Sequence, residues 1–139
     1  MKQSELVRLL LHKATQDEAV LEELLGDRRF DDETVGFHAQ QAVEKLLKAW
    51  LAHLGADYPK VHNLEALVDL LEVHGERLPS ELANLEHLSP FATVFRYEQL
   101  STSAPFDRQA ALELGRRMRA FVTGQIGHPT HQQPPQIPD

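Results

Sequence analysis

The stretch ETVGFHAQQAVEKLLKAWLAHL, Glu33 to Leu54, decides the fold. Ala39, Ala42, Val43, Leu46, Leu47, Trp50 and Leu54 recur at steps of three and four. That is the period of a helix with one broad apolar stripe. Asp31 and Asp32 stand where an N-cap belongs and place negative charge at the positive end of the helix. Gly55 suits the left-handed residue past its C-terminus, and Ala56-Asp57-Tyr58-Pro59 cannot continue it, since proline clashes with a helical predecessor.

The same period recurs on both sides. A first helix is predicted from about Ser4 to Leu25, with Leu6, Leu10, Ala14, Leu21 and Leu25 along one face. Ser4 is its expected N-cap and Gly26 its expected left-handed end. Asn63 opens a third helix carrying Leu64, Leu67, Val68 and Leu71, which stops near Gly75. Pro79 fits the first turn of a short fourth helix ending near Leu88. Pro90 then interrupts. A short helical or irregular stretch holds Phe91, Val94, Phe95, Arg96 and Tyr97, followed by the loop EQLSTSAP. The last helix is predicted from about Pro105 to Val122, burying Ala110, Ala111, Leu114, Met118 and Phe121 and exposing Arg116, Arg117 and Arg119. No run alternates strictly. The expectation is all-α, an up-down bundle of about five helices over residues 1–123, followed by a Pro-rich flexible tail over 124–139.

Composition narrows the chemistry. The 139 residues contain no cysteine, which excludes disulfides, thiol nucleophiles, iron–sulfur clusters and thiolate zinc sites. No apolar run approaches the length of a membrane span and the N-terminal stretch has no signal-peptide core, so a soluble cytoplasmic protein is expected. Fourteen basic against 21 acidic residues give a net charge of −7, which disfavours indiscriminate binding of polyanions. The excess of acid lies in residues 1–90. The C-terminal part is slightly basic, so a phosphate site there would be local.

Three elements carry a resemblance. FHAQQAVEKLLKAWLAHLGADYPKVHNLEALVDLL, Phe37 to Leu71, is similar to the HEPN domain, a helical-bundle family found alone or beside nucleotidyltransferases. KATQDEAVLEELL, Lys13 to Leu25, resembles the family's first helix. LSPFATVFRY, Leu88 to Tyr97, resembles the segment leading into its Arg-Tyr element, and the resemblance runs from about Ser4 to Phe121. It implies a dimer that acts on RNA or binds a nucleotide. Many members are RNases in which a histidine follows an arginine by four to six residues. Others pair with a minimal nucleotidyltransferase in two-gene, toxin–antitoxin-like modules.

Here the window after Arg96 holds Leu100, Ser101, Thr102 and Ser103, whichever way the spacing is counted, and no histidine. Glu98 also replaces the proline that often follows the Arg-Tyr pair. Histidine suits proton transfer because it titrates near neutrality; arginine supplies bidentate charge but does not give up a proton. No catalytic residue is therefore assigned to the Arg96 element, and no cofactor is expected.

The binding residues expected from residue type and resemblance are Gln41, Lys45, Lys48, His62, Arg96 and Tyr97. His38, Gln41, Lys45 and Lys48 share one side of the second helix, a polar wall that either faces a phosphate or forms a solvated edge with Gln41–Lys45 and Glu44–Lys48 pairs. Arg96 either holds a phosphate in a dimer cleft or pairs with an acid of the first helices; Tyr97 either stacks on the ligand or packs at the bundle end. His62 reads first as a histidine organising the turn before Asn63, and second, with His38, as a general base. His128 and His131 lack a third ligand, so no metal site is expected. The wide apolar circumference of the second helix raises a further expectation, a two-fold homodimer built on the second and last helices. The expected partners are thus a second copy, a minimal nucleotidyltransferase, and a nucleotide or RNA.

Overall fold

The computed structural model describes residues 2–57, 60–85, 88 and 106–127. Four α-helices lie among them: α1 (Gln3–Leu24), α2 (Asp32–His53), α3 (Leu64–Val73) and α4 (Arg108–Gly127), with a 3-10 turn at Ser80–Leu82. The described residues contain no strand. An all-helical bundle is what the apolar periodicity dictates.

α2 is the central element. Val35, Ala39, Ala42, Val43, Leu46, Leu47, Ala49, Trp50, Leu51 and Ala52 are all buried, and α1, α4 and α3 all pack against this helix. Trp50 meets Phe121 of α4 edge to face, ring centroids 5.5 Å apart. Truncating such a fully buried ring costs about 3–5 kcal/mol. Much of the apolar circumference of α2 is thus covered within a single chain.

Helix ends follow local chemistry at Gly55, Gly75 and Asn63 and depart from expectation elsewhere. Gly55 ends α2 at φ +74 and Gly75 follows α3 at φ +82, the left-handed conformation that glycine alone adopts without strain. Asn63 Oδ1 accepts from the amides of Glu65 (2.9 Å) and Ala66 (3.3 Å), capping α3. By contrast, Gly26 has no positive φ, and α1 begins at Gln3 with Lys2 rather than Ser4 at the N-cap.

The fourth helix expected from Pro79 to Leu88 is replaced by the 3-10 turn, with Pro79 as its N-cap. Leu82, Leu85 and Leu88 are all buried, although the 3-10 turn ends at Leu82. α4 starts three residues later than Pro105, because Asp107 Oδ1 accepts from Ala110 N at 3.0 Å. It also runs past Val122 to Gly127, where Ile126 packs partly buried against the core. No helix of the described residues is long and apolar enough to cross a membrane.

Candidate functional site

The flank of α2 beside the apolar stripe carries two buried carboxylates with their basic partners. Asp17 of α1 receives His38 Nδ1 at 3.0 Å on one oxygen and Lys45 Nζ at 2.6 Å on the other. Burial pushes the Asp17 carboxyl up, but the hydrogen bonds from His38 and Lys45 outweigh it and hold the group below its usual range. The α1–α2 packing thus carries an ionised carboxylate between two basic side chains.

One turn along, Glu44 is almost fully buried. Its Oε2 receives Lys48 Nζ at 2.9 Å and His62 Nδ1 at 3.0 Å; its Oε1 receives Gln40 Nε2 at 3.0 Å. Gln40 Nε2 also donates to the His62 carbonyl at 3.0 Å, and Gln41 Nε2 donates to Gln40 Oε1 at 2.8 Å. Burial again pushes the carboxyl up, and again the donors (Gln40, His62 and Lys48) prevail and lower it. An ionised carboxylate only accepts, so Nδ1 of His62 carries the proton it shares with Glu44. In the neutral ring Nε2 is then an acceptor. His62 is also the most exposed member, with 63% of its side chain open to solvent against 4% for Glu44.

The expected residues are therefore brought together unevenly. Gln41, Lys48 and His62 belong to one network, and Lys45 joins His38 in the other. The Glu44–Lys48 pair forms, whereas Gln41 and Lys45 turn to Gln40 and Asp17 instead of to each other. Arg96 and Tyr97 lie outside the described residues, as do His128 and His131. Arg119 pairs with Glu18, and Arg116 with Glu22, so this helix face ties α4 to α1.

Sequence reasoning missed Asp17, Gln40 and Glu44 as organising groups, and it missed Arg108. The signal for Gln40 and Glu44 was present: two polar residues four apart, between Ala39, Val43 and Leu47 of the buried stripe. Arg108 is buried and donates to the Asp32 carboxylate (2.9 Å) and to the carbonyls of Leu24 (2.7 Å), Asp27 (3.1 Å) and Phe30 (2.6 Å). It fixes the α1–α2 turn rather than a ligand. Among the described residues no group of three His, Asp or Glu side chains is placed to hold a metal.

Chemically, each network pairs one carboxylate with one lysine, so the lysines balance charge already present. What the flank offers a ligand is the exposed ring of His62 and polar donors around it. The family model for the HEPN domain matches residues 7–125, all but the first few residues of α1 through nearly the end of α4. The chain belongs to the HEPN family. No curated protein and no solved structure matches it. Both networks of the HEPN flank lie inside the matched span, and membership supports a nucleotide- or RNA-related function.

Proposed function

We propose that this HEPN protein is a cytoplasmic homodimer that binds a nucleotide or RNA at a cleft between protomers. In this reading it is the accessory partner of a minimal nucleotidyltransferase in a toxin–antitoxin-like module. The observation that carries the binding role is the continuous network joining Gln41, Gln40, Glu44, Lys48 and His62, which leaves the His62 ring exposed on the same carboxylate as Lys48. By family resemblance Arg96 holds a phosphate and Tyr97 stacks on a base or donates a hydrogen bond. A net charge of −7 makes any such binding depend on few local contacts, with a shallow salt dependence.

The test is fluorescence anisotropy of a short single-stranded RNA and of a labelled nucleotide at low salt. Arg96→Ala and His62→Gln should each weaken binding by about 1–3 kcal/mol. Lys45 and Lys48 neutralise buried carboxylates, so their alanine variants lose stability as well and are poorer probes. Co-expression with a nucleotidyltransferase encoded beside the gene, followed by co-purification, tests the partnership. A folded protein that binds neither ligand would leave a structural dimerisation module.

One observation favours a second reading, a metal-independent RNase toxin. An exposed histidine whose Nδ1 is fixed by a buried carboxylate is arranged for proton transfer at Nε2. Cleavage of RNA in the presence of EDTA that disappears in His62→Gln would establish this reading. Intact RNA after prolonged incubation removes it.

A further inference from the structure

α3 carries two apolar lines, and the bundle uses one of them. Leu64, Leu67 and Leu71 recur at steps of three and four and are buried in the core, chiefly against α2. Ala66, Leu70 and Val73 recur at steps of four and three, rotated about a third of a turn from the first line. Ala66 and Leu70 are half-buried. Val73 is 78% exposed, against 39% for Phe30 and 38% for Leu9, the other exposed large apolar side chains among the described residues.

One edge of the second line is acidic. Glu65, Asp69 and Glu72, again at steps of four and three, are exposed and form no ion pair among the described residues. The acids of α1 that face α4 behave differently: Glu18 takes Arg119 and Glu22 takes Arg116, so they tie two helices together. Those of α3 tie nothing within the described chain.

An exposed apolar strip with a charged margin has the anatomy of a helix-docking face. The strip supplies burial, and the margin selects the occupant. Here the sign of the margin decides. A second copy docked through the same face would bring the two sets of acids together, on chains of net charge −7 each. RNA and anionic membranes are repelled by the same side chains. We infer that this face of α3 docks a basic amphipathic helix of a protein partner, its apolar residues on Leu70 and Val73 and its lysines or arginines on Asp69 and Glu72. This assignment rests on the partnership proposed above and gives the minimal nucleotidyltransferase its contact on this chain. With 10 residues, about 15 Å of helix, α3 is the anchor of a larger interface.

Biolayer interferometry of the full chain against the purified nucleotidyltransferase encoded beside the gene tests this. Val73→Lys should raise the Kd at least about tenfold. Asp69→Asn combined with Glu72→Gln should raise it about three- to tenfold and flatten its salt dependence. Glu5→Gln combined with Glu23→Gln removes the same charge from exposed positions of α1 and should leave the Kd within about twofold. All five side chains are exposed, so each variant should keep the wild-type unfolding temperature and the wild-type mass in light scattering. Unchanged binding by both α3 variants would overturn the inference and leave the partnership standing. Equal weakening by the α1 pair would overturn it as well, since net charge rather than this face would then govern binding. A Val73→Lys protein that falls from dimer to chain mass would assign the face to a second copy instead. No binding by folded wild-type protein would remove the partnership, and this contact with it.

Discussion

His62 Nδ1 lies 3.0 Å from Glu44 Oε2, joining an exposed ring on the approach to α3 to a buried carboxylate in the middle of α2. Gln40 reinforces the link by holding both the Glu44 carboxylate and the His62 carbonyl. The ring is thus positioned from its backbone and from its own nitrogen. The same two residues also pin the turn between the helices, so the orientation of the ring and the stability of the turn are coupled there.

Acid should therefore weaken the fold. The Glu44 and Asp17 carboxyls are both held below their usual range, so each contributes stability that is fully present above its unfolded pKa, about 4. That stability disappears as pH falls through the lower folded value. Melting followed by circular dichroism should be insensitive to these two groups from neutrality to about pH 5 and fall below about pH 4. In Glu44→Gln that acid limb should be shallower.

Removing the Glu44 carboxylate is a harsher change. Glu44→Ala leaves a lysine, a buried amide and a histidine without their common acceptor, and the expected cost is about 3–5 kcal/mol in urea unfolding at neutral pH. A cost below about 1 kcal/mol would show that the network relaxes into solvent.

Arg108 should tolerate no cationic substitute. Its guanidinium reaches one carboxylate and three carbonyls, and an ammonium cannot span that set from one point. Arg108→Lys is expected to cost at least about 2 kcal/mol, and Arg108→Ala about 3–5 kcal/mol, with the unfolding temperature falling by about 12–20 °C in the second.

The end of α4 matters to the fold as far as Ile126. Truncation after Gly124 removes that side chain from the core, whereas truncation after Gly127 keeps it. The first should lower the unfolding temperature by about 4 °C more than the second, near 1 kcal/mol for a domain of this size. Equal melting of the two would mean that Ile126 contributes nothing.

Assembly is open to a direct measurement. Multi-angle light scattering at micromolar concentration should give twice the 15.7 kDa chain mass. A species at the chain mass would remove the homodimer and with it any cleft between protomers.

Legibility in the sequence followed the range of the interactions. α2, the cap at Asn63 and the stops at Gly55 and Gly75 are local, and residue type with period was enough to place them. The segment after Pro79 differs from the expected helix because Pro79 and three leucines suit a helix start, while the backbone makes only the turn Ser80–Leu82. Within the candidate site, Lys45, Lys48 and Gln41 were visible as a face. The partners that commit them, Asp17 and the buried Gln40–Glu44 pair, depend on how α1 and the approach to α3 pack on α2. Arg108 was unreadable for the same reason: its acceptors lie 76 to 84 positions away along the chain.

That separation has a kinetic consequence. α1 and α2 are joined by a short turn and can zip together as a hairpin early, since closing a short loop costs little chain entropy. The four bonds of Arg108 form only when α4 arrives, because their partners lie 76 to 84 positions back along the chain. Interactions made on the native side of the barrier set the unfolding rate, so Arg108 variants should steepen unfolding in stopped-flow measurements and scarcely slow refolding. The guanidinium then acts as a latch that determines how long the folded molecule persists rather than how quickly it is reached.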